Sequence, residues 1–172
     1  MEEILNDIEP FIANINRGID ELSIDRAYLT QMDHVCYRVE TEARYGELKE
    51  RLSQAAIFLS ESVVSSRVIT TFEFKDPLHV AGWEIPFLEL PAPKDGSPYA
   101  EGLEHVEFVV RDGDLGAFQA AHPQLADLFS HKGMSKKINP ELGLKAAGIS
   151  VKFHKIPLGE VVRLEKLDVA SQ

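Results

Sequence analysis

The heptad Asp33-His34-Val35-Cys36-Tyr37-Arg38-Val39 returns as Glu104-His105-Val106-Glu107-Phe108-Val109-Val110, its histidine displaced by 71 positions from 34 to 105. Both copies read acid, His, Val, any residue, aromatic, any residue, Val. Both alternate with period 2, the pattern of a half-buried strand. In each, a Val and aromatic face lies opposite a face bearing His. An open, wet sheet surface has no reason to prefer His at the same place twice. The repeat predicts a duplicated module whose two histidines converge on one site.

The rest of the chain fits two such modules. After the strand at 33–39, Thr41 is placed to cap a helix carrying Tyr45, Leu48, Leu52, Ala55, Ala56 and Leu59. A short strand near 59–64 follows, then strands at 67–74 and 84–90, closed by Pro91 and Pro93. Residues 91–102 are rich in Pro and Gly and read as the connection between halves. The second half opens with the strand at 104–110. Asp114 then caps a helix interrupted by Pro123, and strands are expected at 141–147, 149–155 and 160–166. Ahead of both modules, Ile4, Leu5, Ile8, Phe11, Ile12, Ile15, Ile19 and Leu22 recur at helical spacing, giving one or two helices over 2–22 with a possible break at Pro10. These helices read as a cover for a core edge. The expected organisation is an N-terminal helical appendage (1–30), a first βαβββ module (31–95) and a second (96–172), joined in one structural domain.

Strand parity turns these strings into geometry, because side chains at i and i+2 share a face. Val35, Tyr37, Val39, Val106, Phe108, Val110, Leu88, Leu90, Val151, Phe153, Val162 and Leu164 fall on the helix-covered face. His34, Arg38, Glu89, His105, Glu107, Lys152, His154 and Glu165 fall on the other. If the two modules curl toward each other, this second face lines a polar cup. So many ionisable groups are costly to enclose unless paired, hydrated or bound to a metal.

Composition narrows the partners. A net charge of −10 argues against nucleic acid, which selects clustered Lys and Arg. The single Cys36 excludes an internal disulfide and fits a reducing compartment. No apolar run approaches the length of a membrane span. The expectation is a cytoplasmic protein, monomer or homodimer, acting on a small molecule.

Asp33-His-Val-x-x-x-Val39 and Gly102-Leu-Glu-His-Val-x-Phe-Val-Val110 resemble the module-opening strands of the vicinal oxygen chelate superfamily, which includes glyoxalase I, methylmalonyl-CoA epimerase, extradiol dioxygenases and bleomycin-resistance proteins. Within it the chain looks most like the YecM branch, on Phe87-Leu-Glu-Leu-Pro91, Gly102-Leu-Glu-His-Val-Glu107, Asn139-Pro140 and Val151-Lys-Phe-His154. The resemblance spans about residues 30–167. It implies an α+β fold of paired βαβββ modules, a curved mixed sheet around a cup with helices outside. It also implies one divalent metal (Zn, Ni, Mn or Fe), with His34, Glu89, His105 and Glu165 at the ligand positions of the first, fourth, fifth and eighth strands. The residue types suit such an ion, two Glu balancing its charge.

The resemblance further implies Lewis-acid chemistry of the isomerase, lyase or epimerase kind on a small, oxygen-chelating, anionic substrate. Glu89 or Glu165 is then a candidate base. His154, on a strand where the superfamily usually keeps no ligand, is a candidate substrate-binding residue, proton donor or substitute for Glu165. Arg38, Lys152 and Glu107 are candidate substrate-binding residues, with simple ion pairing to Glu107 and its neighbours as the equal alternative for the two cations. Other readings are a non-catalytic binder of the bleomycin-resistance type, a non-haem iron dioxygenase using His34, His105 and Glu165, and a regulatory domain acting through residues 2–22.

Overall fold

In a computed structural model, which describes residues 2–64, 66–94, 96 and 98–170, the period-2 segments become strands of one mixed sheet. Chain order is α1 (Glu2–Glu21), β1 (Leu29–Arg38), α2 (Glu42–Ala55), β2 (Ile57–Val64), β3 (Arg67–Val80), β4 (Trp83–Pro91), β5 (Gly102–Val110), α3 (Leu115–Ala121), β6 (Glu141–Ala146), β7 (Ile149–His154) and α4 (Leu158–Ala170). The seven strands run β2-β3-β4-β1-β5-β7-β6. Positions 95 and 97 of the expected linker lie outside the described residues. The α+β architecture, the curved mixed sheet and the N-terminal helix are as expected.

Local chemistry explains the elements. Thr41 Oγ1 accepts from Arg44 N at 3.1 Å and Asp114 Oδ1 from Ala117 N at 2.9 Å, so both expected caps form. The helix-side face is dry: Val35, Val39, Leu88, Leu90, Val106, Phe108, Val151 and Phe153 are fully buried. The N-terminal segment is one helix. Pro10 is tolerated inside it on the exposed side, while Ile4, Ile8, Ile12, Ile15 and Ile19 form a buried stripe. Gly18 lets α1 press against the β6–β7 hairpin: a Cβ there would lie 2.5 Å from Ala147 N. Asn16 ties the other hairpin, donating to Ala81 O and accepting from Trp83 Nε1. Trp83 therefore belongs to the packing under α1, stacking edge-on against Phe108 at 5.0 Å, rather than to the cup.

The two halves are related strand by strand. β1 pairs parallel with β4, and β5 pairs parallel with β7. β3–β4 and β6–β7 are both hairpins, turning at Ala81-Gly82 and Ala147-Gly148 with all four residues at positive φ. The counterpart of β2 is reduced to a single bridge between Ser130 and Gly143. β7 is thus the fourth strand of the second module. This corrects the expected strand at 160–166, which is the helix α4. With β7 already seated beside β5, the place of the fourth strand of this module is taken. Leu158, Val161, Val162 and Glu165 instead share one helical face. Among the described residues no helix is long and apolar enough to cross a membrane.

Candidate functional site

The polar face of the sheet closes as expected around a cavity of about 400 Å³. Asp33, His34, Glu89, Glu107, Lys152 and His154 form its floor; β2 and β3 supply Ser60, Ser62 and Thr71; α4 forms a wall of Leu158, Val161, Val162 and Glu165.

The pairing of β1 with β5 sets the floor. The strands are antiparallel, placing His34 opposite Glu107 and Cys36 opposite His105. The register is broken twice near the centre. Between Met32–Phe108 and His34–Glu107 the β1 strand carries one extra residue, Asp33. Between Cys36–His105 and Tyr37–Leu103 the β5 strand carries one extra residue, Glu104. A bulge re-aims its side chain, so each acid escapes strict alternation and reaches its neighbouring histidine. Asp33 Oδ2 lies 3.0 Å from His34 Nδ1, and Glu104 bonds His105 Nδ1. The repeated acid-His pair is therefore a repeated bulge that fixes each ring through Nδ1 and leaves Nε2 for the site.

Asp33 does more. Fully buried, it accepts from Leu158 N at 3.0 and 3.1 Å, joining α4 to the floor, and lies 3.3 Å from His154 Nε2. Parity alone put Asp33 and Glu104 among the helix-facing positions. Their recurrence beside His was the sequence signal for their role.

The Nε2 atoms of His34, His105 and His154 are buried without a hydrogen-bond partner. Glu107 Oε1 lies 3.5 Å from His34 Nε2 and 3.4 Å from His105 Nε2, and Glu89 Oε2 lies 3.7 Å from His34 Nε2. One ligand atom each from His34, Glu89, His105 and Glu107 falls within 4.8 Å of the others, a group able to hold a metal ion. Asp33, His34 and His154 form an adjoining group of the same kind. Orphaned buried imidazole nitrogens beside carboxylates are the donor set a divalent transition metal takes.

Charge at the site follows from this crowding. Burial pushes His34 down, but the carboxylates of Glu107, Glu89 and Asp33 outweigh it and hold the imidazole at about 10. His105 is likewise lowered by burial and raised overall by Cys36, Glu104 and Glu107. Glu107 is held well below the ordinary carboxylate range despite its burial, chiefly by His34 and Lys152. Asp33, despite burial, is drawn to about 2 by the adjacent imidazoles of His154 and His34. Glu165 is shifted the other way, raised by burial and by the charge of Glu89 across the cavity.

The remaining expected residues divide. Lys152 lines the cavity with its ammonium 2.5 Å from Glu107 Oε1. His154 is buried at the floor, its Nδ1 3.2 Å from Asn139 Nδ2. Arg38 is outside the cavity lining, 2.9 Å from Glu104 and stacked over Tyr99 at 4.5 Å. Glu165 reaches the cavity from α4, not from a strand, and is not in the close His/Glu group. The pairing of β7 gives the reason: Glu89 lies beside Cys36, two residues past His34, and the corresponding neighbour of Glu107 is Lys152. The second module thus has lysine where the first has its fourth-strand glutamate.

The comparisons agree with this architecture. The family model described as YecM protein matches residues 1–165. Protein YecM of Escherichia coli is 28% identical over 179 residues, covering 96% of this chain and 94% of its own length. An uncharacterized Haemophilus influenzae protein is 30% identical over 104 residues, covering 60% of this chain and 54% of its own. Protein EC4020, a structural-genomics structure, superposes with a TM-score of 0.69 at 29% identity, over 96% of this chain and 94% of that one. A Streptomyces coelicolor methylmalonyl-CoA epimerase in complex with 2-nitronate-propionyl-CoA gives 0.52 at 15% identity, over 74% and 97%, a likeness of fold alone. With paired modules, a cup and a match along nearly its whole length, the chain belongs to the YecM family and carries the vicinal oxygen chelate fold.

Proposed function

We propose that the chain is a metal-dependent enzyme acting on a small, oxygen-rich, anionic molecule by proton-transfer chemistry of the isomerase, lyase or epimerase kind. The observation that carries this reading is the set of orphaned Nε2 atoms on His34 and His105, each ring fixed by its own bulged acid and both facing Glu107. His34, Glu89, His105 and Glu107 would hold the ion. Once bound, it would supply Lewis acidity toward a substrate oxygen.

The other groups have roles set by place and charge. Glu165, its carboxyl raised by burial and by Glu89, lies on the wall facing the floor and is placed to exchange a proton with a bound molecule. His154, anchored by Asn139, faces Asp33 and Glu107 and can relay a proton between the floor and the cavity. Leu158, Val161 and Val162 of α4 give the cavity an apolar wall facing these groups. The buried free thiol of Cys36 suits a reducing compartment such as the cytoplasm.

The test is metal content by elemental analysis of protein purified without tag or chelator, beside His34→Ala and His105→Ala, each checked for folding by circular dichroism. Near-stoichiometric divalent metal, lost in both folded variants, is the expected result. No metal, with no uptake of Zn²⁺, Ni²⁺, Mn²⁺ or Fe²⁺ by folded protein, overturns the proposal and leaves a binding cup. An iron-loaded protein that consumes oxygen with substrate would move the chemistry to the dioxygenase class.

A further inference from the structure

The antiparallel pairing of β1 with β5 relates the two modules by a pseudo-twofold axis near Val35 and Val106. It exchanges His34 with His105, and Glu107 with Cys36. It also exchanges Glu89 with Lys152, the residues of β4 and β7 that lie beside Cys36 and Glu107. A carboxylate in one half thus corresponds to an ammonium in the other. This ammonium binds the very oxygen the site needs: Lys152 Nζ is 2.5 Å from Glu107 Oε1, the atom that also faces His34 Nε2 and His105 Nε2. Lys152 has an alternative seat. Glu141 Oε1 is 3.8 Å away, and the lysine side chain is 27% exposed toward the cavity it lines.

We propose that Lys152 is a placeholder cation. It holds Glu107 in the metal-free chain, yields that oxygen when a metal ion binds, and then turns to the cavity as the anchor for a carboxylate-bearing ligand. The inference rests on the metal-site reading above. It follows from charge and space. Two strong cations compete for one carboxylate oxygen and repel each other at contact distance, and a buried carboxylate is costly without one. The swap keeps Glu107 paired at every stage. It also makes the anion anchor available only in the loaded site, so metal and anion bind with positive coupling through Lys152. Lys152 is thus a positioning residue for Glu107 and a specificity residue for the ligand's charge.

The experiment is a double-mutant cycle on Zn²⁺ affinity, read by competition with a chromophoric chelator, using the native chain, Lys152→Met, Glu107→Gln and the double variant. Removing the placeholder should tighten Zn²⁺ binding by about tenfold in the native background, and the gain should vanish in the Glu107→Gln background. Lys152→Arg, which keeps the charge, should bind Zn²⁺ as the native chain does and guards against a folding defect in Lys152→Met. Lactate then probes the anchor: Zn²⁺ should strengthen lactate binding to the native chain, followed by ligand-observed NMR, and not to Lys152→Met. Weaker Zn²⁺ binding by folded Lys152→Met, or an equal gain with and without Glu107, overturns the placeholder. Equal lactate binding by zinc-loaded native and Lys152→Met protein overturns the anchor. Zn²⁺ that binds the native chain while these cycles fail leaves the metal-site reading standing. Absence of Zn²⁺ binding removes both.

Discussion

Glu107 and Glu165 make opposite predictions, because Glu165 was expected at the ion and Glu107 at the substrate, whereas it is Glu107 that lies among the imidazoles. Glu107 is 6% exposed; its Oε1 is 2.5 Å from Lys152 and 3.4–3.5 Å from two Nε2 atoms, and its Oε2 is 3.7 Å from His154 Nε2. Glu107→Gln keeps the shape and removes the charge. Breaking a buried pair by deleting one partner costs roughly 3–5 kcal/mol. Part of that is recovered here, since Lys152 is partly exposed and Glu141 stands 3.8 Å from it. The expected loss is about 2–4 kcal/mol in urea unfolding of the metal-free protein. Metal affinity should fall by at least ~100-fold, since even partners outside the ligand shell cost 10–100-fold. Glu165→Gln alters a helical side chain outside the buried His/Glu group, so stability should move within about 0.5 kcal/mol. Its metal affinity should stay within about threefold, because it lies outside the close group. The assays are urea denaturation followed by circular dichroism and Zn²⁺ competition titration. Equal loss of metal in the two variants, or native affinity in Glu107→Gln, would refute the assignment of the carboxylates.

Three further outcomes are expected. Gly18→Ala should destabilise by roughly 1–3 kcal/mol despite alanine's better helix propensity, because its Cβ would meet the backbone of Ala146 and Ala147 at 2.5–2.6 Å; a thermal midpoint equal to or above native would show that α1 does not press on the hairpin. Asp33 is held at about 2, below its ordinary 3.8, so it contributes stability that is fully present above about pH 4 and lost as pH falls through about 2. That contribution is about 2 kcal/mol, and acid unfolding of metal-free Asp33→Asn should lack this limb; an unchanged acid profile would argue against the buried carboxylate as its source. Glu104→Gln should lower metal affinity about 10–100-fold by loosening the ring of His105, while the far-UV spectrum stays native; undiminished affinity would mean that the bulged acid does not orient the ligand.

Most of the sheet was legible because its strands alternate so cleanly that one period assigns both an element and a face. The histidines, Glu89, Glu107, Lys152 and His154 were found that way. Legibility failed where tertiary context decides. Residues 160–166 offer alternating Val162 and Leu164, but also Val161 and Leu164 at helical spacing, and only the occupied place beside β5 selects the helix. The repeated Ala-Gly turns at 81–82 and 147–148 carried the missing register. They show that β7 matches β4, and therefore that Lys152, not a residue of 160–166, corresponds to Glu89. The bulges at Asp33 and Glu104 escaped parity for a physical reason: alternation assumes an unbroken ladder, and one extra residue sends two consecutive side chains to the same side.

What was kept and what diverged between the halves gives the site its logic. The acid, its bulge and the histidine are duplicated, so each module brings one oriented imidazole. The carboxylates are not in symmetric places: the first module supplies Glu89 from its fourth strand and has Cys36 on its first, while the second supplies Glu107 from its first strand and has Lys152 on its fourth. Each half still contributes one imidazole and one carboxylate to a common centre. A symmetric pair of fourth-strand glutamates would leave two equivalent carboxylates and no cation beside them. Moving one carboxylate to the first strand opens the fourth-strand position to an ammonium, which neutralises the enclosed charge when no metal is bound. The broken symmetry also makes the two carboxylates chemically distinct. Glu107 is buried and tied to Lys152, while Glu89 is half-buried and faces Glu165 across the cavity. Unequal surroundings of this kind are what give two carboxylates in one site different proton affinities.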